Sequence, residues 1–300
     1  MADPPRPPEA AAGLQNYPGT VEGVPKEQRT LLEITVGRAR LAVTRRGASG
    51  SPHLVFLHTG ISDMRSWDEV SALLSPEMDV VAYDRRGFGV TAYRPERHDQ
   101  VGDLLAVLDG LGLDEVVLVG NSRGGQIAVD FALAHPVRVS ALVLVAPALT
   151  GSPVPEAIEP VEGAIWETLE AAEAAGALDA LNLGEIRLWL DGPYAPEGRV
   201  DGAVRELALD MNRIALHAHD PGQESEAPDA WSRLSELHCP VLVVAGDLDL
   251  AHIRARAQEL ALRIPGARFA LMEGAAHLPG LEQPDAFAAL LRDFLGRLVG

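Results

Sequence analysis

Short apolar runs alternate with longer amphipathic stretches along the chain from residue 31 onward. Eight of the apolar runs have the length of strands, at residues 31–36, 40–45, 53–58, 79–84, 115–120, 140–146, 240–246 and 268–273. Amphipathic segments of helical length lie at residues 66–75, 99–112, 124–135, 253–263 and 284–299. This alternation predicts an α/β fold with an eight-stranded, mostly parallel sheet flanked by helices. The first two runs have no helix between them, so they predict an antiparallel hairpin at the sheet edge.

The alternation is interrupted once, after the sixth strand. Residues 151–236 contain no convincing strand but several helical segments, and so long an excursion in a compact domain is commonly a lid or a binding element. We expect a helical cap there, inserted into a core formed by residues 29–150 and 237–300. Residues 1–28 are rich in Pro, Ala and Gly and lack an apolar stretch typical of a signal peptide, which predicts a flexible leader.

Composition narrows the class of partner. The 300 residues include 47% hydrophobic residues, enough for a sizeable core, and 43 acidic against 25 basic residues give a net charge of −18. This charge argues against a nucleic acid or an anionic membrane surface as a partner. The single cysteine excludes an internal disulfide, and no apolar run is long enough to span a membrane. We expect a cytoplasmic protein that acts on a small molecule, with homodimer formation left open.

The stretch "LVGNSRGG", residues 118–125, places a serine directly after a strand and among three glycines. Ser122 could simply cap the following helix, a position where serine is favoured. The alternative is a nucleophile elbow, because residues 120–124 fit G-x-S-x-G, in which small flanking residues allow a strained strand-to-helix corner and expose the serine oxygen. A short motif of this kind needs support from the rest of the chain.

A serine hydroxyl needs a base and an acid that orients the base. Of the nine histidines, His277 lies just past the last strand on a loop rich in Gly and Ala, and it is the candidate base. Asp247 and Asp249 both end the seventh strand, and either could hold the histidine through its other ring nitrogen. We favour Asp249, since Asp247 could instead stabilise the turn. We expect no metal site.

An oxyanion needs backbone donors as well. The amide of Arg123 lies at a predicted helix N-terminus and can point toward developing negative charge. A second amide is expected from the loop after the third strand, where Gly60 lets the backbone approach without a side chain in the way.

Five segments carry a resemblance to the α/β-hydrolase superfamily: "FLHTGISDMRSWD", "VAYDRRGFGVT", "LVGNSRGGQIAVDFALAHPVRVSALVLVAP", "VLVVAGDLD" and "GAAHLPGLEQP". The order Ser122, Asp249, His277 also matches the order of that superfamily. The chain resembles small bacterial esterases, enol-lactonases and carbon–carbon bond hydrolases of the Ser-His-Asp type. The resemblance implies that residues 151–236 are the cap domain of the family.

Two positions depart from the family pattern. The family commonly has His-Gly where this chain has His58-Thr59, so the second oxyanion amide could come from Thr59, Gly60 or Ile61. Arg123 stands where Met, Leu or Gln is usual, and its side chain could pair with a carboxylate of the cap or reach the substrate.

The leading hypothesis is a cofactor-free hydrolase in which Ser122 attacks a carbonyl, His277 transfers the proton and Asp249 stabilises the imidazolium. An acyl-enzyme would then be released by water. Cleavage of an ester or lactone is the first choice. Carbon–carbon bond hydrolysis and amide cleavage stay open because one triad serves all of them, and a cyclase or lyase and a ligand receptor on the same fold are further alternatives.

The substrate pocket is expected between the elbow and the cap, lined by Thr59, Ile61, Trp166, Trp189 and Tyr194. Tryptophans on helix faces are more often core residues, so their role as a pocket wall is the sharper of two interpretations. The acidic insertion is a poor receiver of anions, and we therefore expect a medium-sized, largely apolar, uncharged substrate.

Overall fold

The eight predicted strands form one sheet in the computed structural model, which describes residues 29–47, 52–155 and 157–298. The strands are β1 (Arg29–Val36), β2 (Ala39–Arg46), β3 (His53–Leu57), β4 (Asp79–Tyr83), β5 (Val116–Asn121), β6 (Val139–Val145), β7 (Val241–Gly246) and β8 (Arg268–Met272). Their order in the sheet is β1-β2-β4-β3-β5-β6-β7-β8. β2 is antiparallel to β1 and to β4, and the remaining neighbours are parallel. The prediction of a mostly parallel sheet with an antiparallel edge hairpin is confirmed, and the predicted leader lies outside the described residues.

The central strands are buried on both faces, as expected for parallel strands covered by helices. Every residue of β4, β5 and β7 is buried. At the edge, β8 alternates, and it leaves Phe269 and Leu271 partly exposed to solvent. The sequences of the central strands are therefore continuously apolar because both faces of the sheet are covered there.

Nine α-helices are found in the described part of the chain: α1 (Asp68–Leu74), α2 (Gln100–Leu111), α3 (Arg123–Ala134), α4 (Pro160–Ala174), α5 (Leu178–Ile186), α6 (Gly202–Leu216), α7 (Ala251–Arg263), α8 (Pro279–Glu282) and α9 (Pro284–Gly296). Their ends carry the expected signals. Asp99 caps α2 by accepting from two backbone amides, and Gly112 ends it in the left-handed conformation. Apolar residues of α2, α3 and α7 pack on one face of the sheet, and those of α1 and α9 pack on the other.

The segment between β6 and β7 is helical, as predicted, and in its described residues it contains α4, α5 and α6 and no strand. We call residues 151–236 the insertion. Side chains of α5 and α6 form a small apolar cluster with Leu278 and Leu281, close to the loop that follows β8. A second cluster joins the insertion to Ala146 and Leu250, which follow β6 and β7. The insertion therefore lies over the carboxyl ends of the parallel strands. In the residues described, no helix has the length and apolar character needed to cross a membrane.

Candidate active site

The backbone turns sharply at Ser122, between the end of β5 and the start of α3. Ser122 has φ of 53° and ψ of −111°, and among the described residues only Ala146 is another non-glycine residue with positive φ. A Cβ atom on Gly120 would collide with the carbonyl of Gly124, and one on Gly124 would collide with that of Leu57. Both glycines are thus required for strand and helix to approach this closely. Ser122 makes no side-chain capping bond to α3, so its hydroxyl is not used as a helix cap.

This corner is held by backbone hydrogen bonds to the neighbouring strand. The amide of Ser122 donates to the carbonyl of Val145 at 2.8 Å, and its carbonyl accepts from the amide of Ala148 at 3.1 Å. A non-glycine residue in so sparsely populated a region costs about 1–3 kcal/mol, and it persists only where the surroundings determine it. The pairing of β5 with β6 supplies that constraint.

The structure brings His277 and Asp249 together in a buried pair. The imidazole Nδ1 lies 2.7 Å from Oδ2 of Asp249, and the side chains are 4% and 1% exposed. The other carboxylate oxygen, Oδ1, accepts from the amide of Leu250 at 2.7 Å. Asp247 points elsewhere, since its Oδ1 accepts from the amide of Gly274 at 2.7 Å. Of the two carboxylates at the end of β7, it is therefore Asp249 that meets the histidine, and Asp247 stabilises the turn.

Glu282 braces the loop that carries His277, and sequence reasoning did not identify it. Its carboxylate accepts from the amides of Ala276 at 2.8 Å and Leu278 at 2.9 Å, the residues on either side of His277. Arg199 of the insertion donates to the same carboxylate. Burial raises the pKa of Glu282, while Arg199 and the two amides oppose this by favouring the charged form. The only sequence signal was an acidic residue five positions after the histidine.

Asn121, also missed from the sequence, links the corner to the same loop. Its side-chain amide donates to the carbonyls of His277 and Val145, each at 3.1 Å. Because Asn121 immediately precedes Ser122, this side chain fixes the spacing between the corner and the histidine loop.

Of the predicted pocket aromatics, Trp189 lies against the histidine, Trp166 lies against Trp189, and Tyr194 joins neither ring contact. The ring centroid of Trp189 is 4.5 Å from that of His277, and Trp166 lies edge-on to Trp189 at 5.9 Å. The carbonyl of Trp189 also accepts from the amide of His277 at 3.1 Å. Tyr194 is partly exposed, and its hydroxyl donates to Glu162 at 2.6 Å. Tyr194 therefore makes a polar contact with Glu162 and, among the described residues, no ring contact with Trp166 or Trp189.

In the loop after β3, some backbone amides donate to side chains of the loop and one has no acceptor among the residues described. The amide of Thr59 donates to Ser62 Oγ at 3.3 Å, and that of Ile61 donates to Thr59 Oγ1 at 3.1 Å. In the described part of the chain, no acceptor is found for the amides of Gly60 and Arg123. Thr59 itself is buried, whereas Ile61 packs in the same apolar cluster as Trp189.

His58, at the start of this loop, makes backbone contacts through both ring nitrogens. Its Nδ1 lies 2.8 Å from the carbonyl of Thr59, and its Nε2 accepts from the amide of Arg85 at 3.2 Å. Burial, and then the charge of Arg85, hold the pKa of His58 well below its usual value. A neutral imidazole protonated on Nδ1 satisfies both contacts, so His58 fixes the backbone of the loop and carries no charge.

An ion-pair network ties the same loop to the insertion. Arg65 donates to Asp63 through Nε at 2.9 Å and through a terminal nitrogen at 2.7 Å, and its other terminal nitrogen lies 2.8 Å from Asp210 on α6. Asp84 lies nearby, and burial together with the charge of Asp63 raises its pKa to about 7. The loop is thus anchored to both the core and the insertion.

Arg123 pairs with the insertion, which is the first of its two predicted roles. Its guanidinium donates to Gln126 at 2.8 Å and to the carboxylate of Glu224. Within the described residues, no group of three or more His, Cys, Asp or Glu side chains is arranged to hold a metal ion.

The comparisons with known proteins agree with this geometry. The sequence matches the α/β hydrolase family over residues 54–290. A candidate 2-succinyl-6-hydroxy-2,4-cyclohexadiene-1-carboxylate synthase of Bacillus subtilis is 30% identical, over 85% of this chain and 94% of that protein. A 2-hydroxy-6-oxononadienedioate/2-hydroxy-6-oxononatrienedioate hydrolase of Paraburkholderia phymatum is 28% identical, over 83% of this chain and 88% of that protein.

Among solved structures, a thermophilic esterase from Thermogutta terrifontis superposes with a TM-score of 0.71 and 25% identity, over 90% of this chain and 99% of the esterase. The sheet order, the strained corner after β5 and these matches lead to one conclusion. The chain belongs to the α/β hydrolase family and is an enzyme of that family.

Proposed function

We propose that this enzyme is a serine hydrolase that cleaves an ester or a lactone through an acyl-enzyme on Ser122. The observation that carries the proposal is the corner at Ser122, a non-glycine residue held at positive φ with no capping role for its hydroxyl. Strain of this kind is kept at functional sites, where it presents a group that a relaxed backbone would not. Asn121 joins this corner to the loop of the buried His277–Asp249 pair.

The proton path follows from the side-chain contacts. Asp249 accepts from Nδ1 of His277, so the proton of the neutral imidazole stays on Nδ1 and Nε2 is left as the acceptor. Nε2 takes the proton of Ser122 as its oxygen attacks the carbonyl carbon, and then returns that proton to the leaving alcohol. A water molecule activated by the same nitrogen then attacks the acyl-enzyme, which releases the acid and restores Ser122.

The amides of Gly60 and Arg123 are proposed to bind the oxyanion. The amides of Thr59 and Ile61 already donate to side chains of their own loop, whereas the amide of Gly60, which lies between them, has no acceptor in the described residues. The amide of Arg123 lies in the first turn of α3, where no acceptor within the helix exists. Two preorganised donors of this kind stabilise the charge that develops in the transition state.

The substrate is proposed to be medium-sized, mainly apolar and uncharged, bound beneath the insertion acting as a cap. Trp189 covers one side of His277, and Ile61 from the loop after β3 packs in the same cluster. Arg123, the residue that follows Ser122, already has the carboxylate of Glu224 as its partner. These contacts offer an apolar wall beside His277, and the guanidinium next to Ser122 is already paired.

The proposal is tested by intact-mass measurement after exposure to a serine-directed fluorophosphonate, followed by a panel of esters and lactones. We expect one phosphonyl adduct per chain on the wild-type enzyme and none on Ser122→Ala. Turnover of alkyl or aryl esters or of lactones should follow the same pattern. An unlabelled wild-type protein, or an adduct that persists in Ser122→Ala, would contradict the assignment of the nucleophile.

Similarity to the oxononadienedioate hydrolase favours a second candidate, hydrolysis of a carbon–carbon bond in a vinylogous diketone. The same histidine and serine would act, but the leaving group would be a carbon atom. A panel that includes such a diketone separates the two candidates. Turnover of the diketone together with inertness toward every ester and lactone would replace the first candidate by the second.

A further inference from the structure

A small cavity lies beside α7, and none of its lining residues belongs to the Ser122 corner or to the His277–Asp249 pair. It has a volume of about 160 Å³ and is lined by Pro153, Pro155, Trp231, His252, Arg256 and Glu259, among others. We call it the α7 pocket. Prolines and a tryptophan provide an apolar wall, while α7 contributes the charged and polar groups.

Arg256 has no partner in the part of the chain that the structure describes, since it makes neither a hydrogen bond nor an ion pair there. The other arginines of α7 are engaged: Arg254 donates to the carbonyl of Asp247 at 2.9 Å, and Arg263 donates to Glu259 at 2.7 Å. Burial lowers the pKa of Arg256, although the charge of Asp249 acts in the opposite direction. A partly buried guanidinium without a counter-ion is unfavourable, and an anion in the pocket would relieve it.

Among the described residues, three carboxylates near the α7 pocket accept from other donors. Glu259, on the pocket wall, pairs with Arg263. Asp249 accepts from His277 and from the amide of Leu250. Glu162 accepts from the first amide of α7 at 2.7 Å. The positive charge of Arg256 is therefore not neutralised by a contact with any of them.

His252 supplies a second polar group on the same wall. The pKa of His252 is lowered, chiefly by burial and then by the charge of Arg256. His277 acts in the same direction, and the carboxylates of Glu162 and Asp249 act against it. An anion bound at Arg256 would cancel one of the charges that oppose protonation of His252. The imidazole therefore reports on occupancy of the pocket.

We propose that the α7 pocket binds a small organic monocarboxylate, with its carboxylate on the guanidinium of Arg256, a hydrogen bond from His252, and its apolar body against Trp231 and the two prolines. Guanidinium and carboxylate match as a planar two-hydrogen-bond pair, which favours this ligand class. A pocket of this volume fits a compact ligand, and the single guanidinium on its wall offers a partner for one carboxylate. None of these residues takes part in the reaction proposed for Ser122.

The experiment uses benzoate as the probe and the full-length Ser122→Ala protein, so that binding is measured whether or not the enzyme turns over esters. Calorimetry gives the affinity, and the NMR titration of the His252 ring gives the location. We expect benzoate to bind and to raise the pKa of His252. Uncharged benzamide should bind at least tenfold more weakly than benzoate.

Arg256→Gln, in the same Ser122→Ala background, should weaken benzoate at least tenfold, and Arg256→Lys should give a smaller loss because it keeps the charge but not the fork. The matched control is Arg254→Gln, which removes the same charge from the same helix and should change the affinity less than twofold. Benzoate binding unaffected by Arg256→Gln, or without a shift at His252, would overturn the proposal. Inorganic phosphate that binds as tightly as benzoate would overturn the choice of an organic carboxylate.

Discussion

Replacement of Asp249 by Asn inverts the proton arrangement of His277 without changing the shape of the pair. The backbone amide of Leu250 donates to Oδ1 of Asp249, so this position must remain an oxygen in the variant. The new amide nitrogen then takes the place of Oδ2, 2.7 Å from Nδ1 of the imidazole. That nitrogen is a donor, and Nδ1 must become the acceptor. The proton moves to Nε2, which can no longer accept from Ser122.

The expected loss in kcat/KM is large because the pair is almost fully buried. The side chains of His277 and Asp249 are 4% and 1% exposed, so water cannot compensate for the lost orientation. Loss of the correct tautomer in a serine–histidine system costs about 10⁴-fold in rate, or about 5 kcal/mol of transition-state stabilisation. The KM should change little, since Asp249 does not line the expected substrate site.

The assay is steady-state hydrolysis of the best ester from the panel, with Asp247→Asn as the matched control on the same loop. That variant keeps an oxygen for the amide of Gly274 and should retain activity within about threefold, since its carboxylate does not touch the histidine. Thermal unfolding checks that both variants fold. Activity of Asp249→Asn within tenfold of the wild type, or an equal loss in Asp247→Asn, would refute the assignment of the acid.

Three further outcomes are expected. Ser122→Gly should abolish turnover and raise the free energy of unfolding by about 1 kcal/mol, because glycine tolerates positive φ. Denaturant unfolding measures the change in stability, and equal stability of the two proteins would mean that the corner is not strained. Trp189→Ala should raise KM about tenfold for bulky esters and leave acetate esters within twofold; an equal change for both in steady-state assays would make Trp189 a packing residue. Burial raises the pKa of Asp130 to about 6, so its protonated form favours the fold, and this contribution is present below pH 4 and lost as the pH rises through 6. Asp130→Asn should therefore gain about 1–2 kcal/mol over the wild type between pH 4 and pH 7 in urea unfolding, and a constant difference would contradict the shift.

The strands and helices could be predicted because each is encoded by its own local pattern. All eight strands lie within two residues of the predicted bounds. β1 begins at Arg29, before the apolar run, because backbone pairing with Arg46 extends the hairpin beyond the residues that need burial. α8 (Pro279–Glu282) was missed, since a four-residue helix is too short to show a periodicity.

In the candidate site, too, the residues marked by a local sequence pattern could be predicted and the others could not. Ser122 could be predicted because the glycines that allow its sharp turn lie within the same five-residue motif. His277 and Asp249 could be predicted because each lies in the loop that follows a strand. The brace on the histidine loop could not, because Arg199 is 83 residues away from Glu282 in sequence and the two meet only when the insertion folds onto the core. The sequence therefore predicts the reactive groups better than the groups that position them.

The number of acidic residues in the insertion does not by itself give the electrostatic potential at the candidate active site. Residues 151–236 contain 18 acidic residues and five arginines, which from sequence suggests a surface that repels anions. In the structure, Asp210 and Glu224 are paired with arginines of the core, Arg65 and Arg123. These two carboxylates hold the insertion in place and contribute little net potential to a ligand, because each is matched by a cation at contact distance. The proposed preference for an uncharged substrate therefore depends on the apolar contacts around His277 and on the paired guanidinium of Arg123 more than on the number of acidic residues in the insertion.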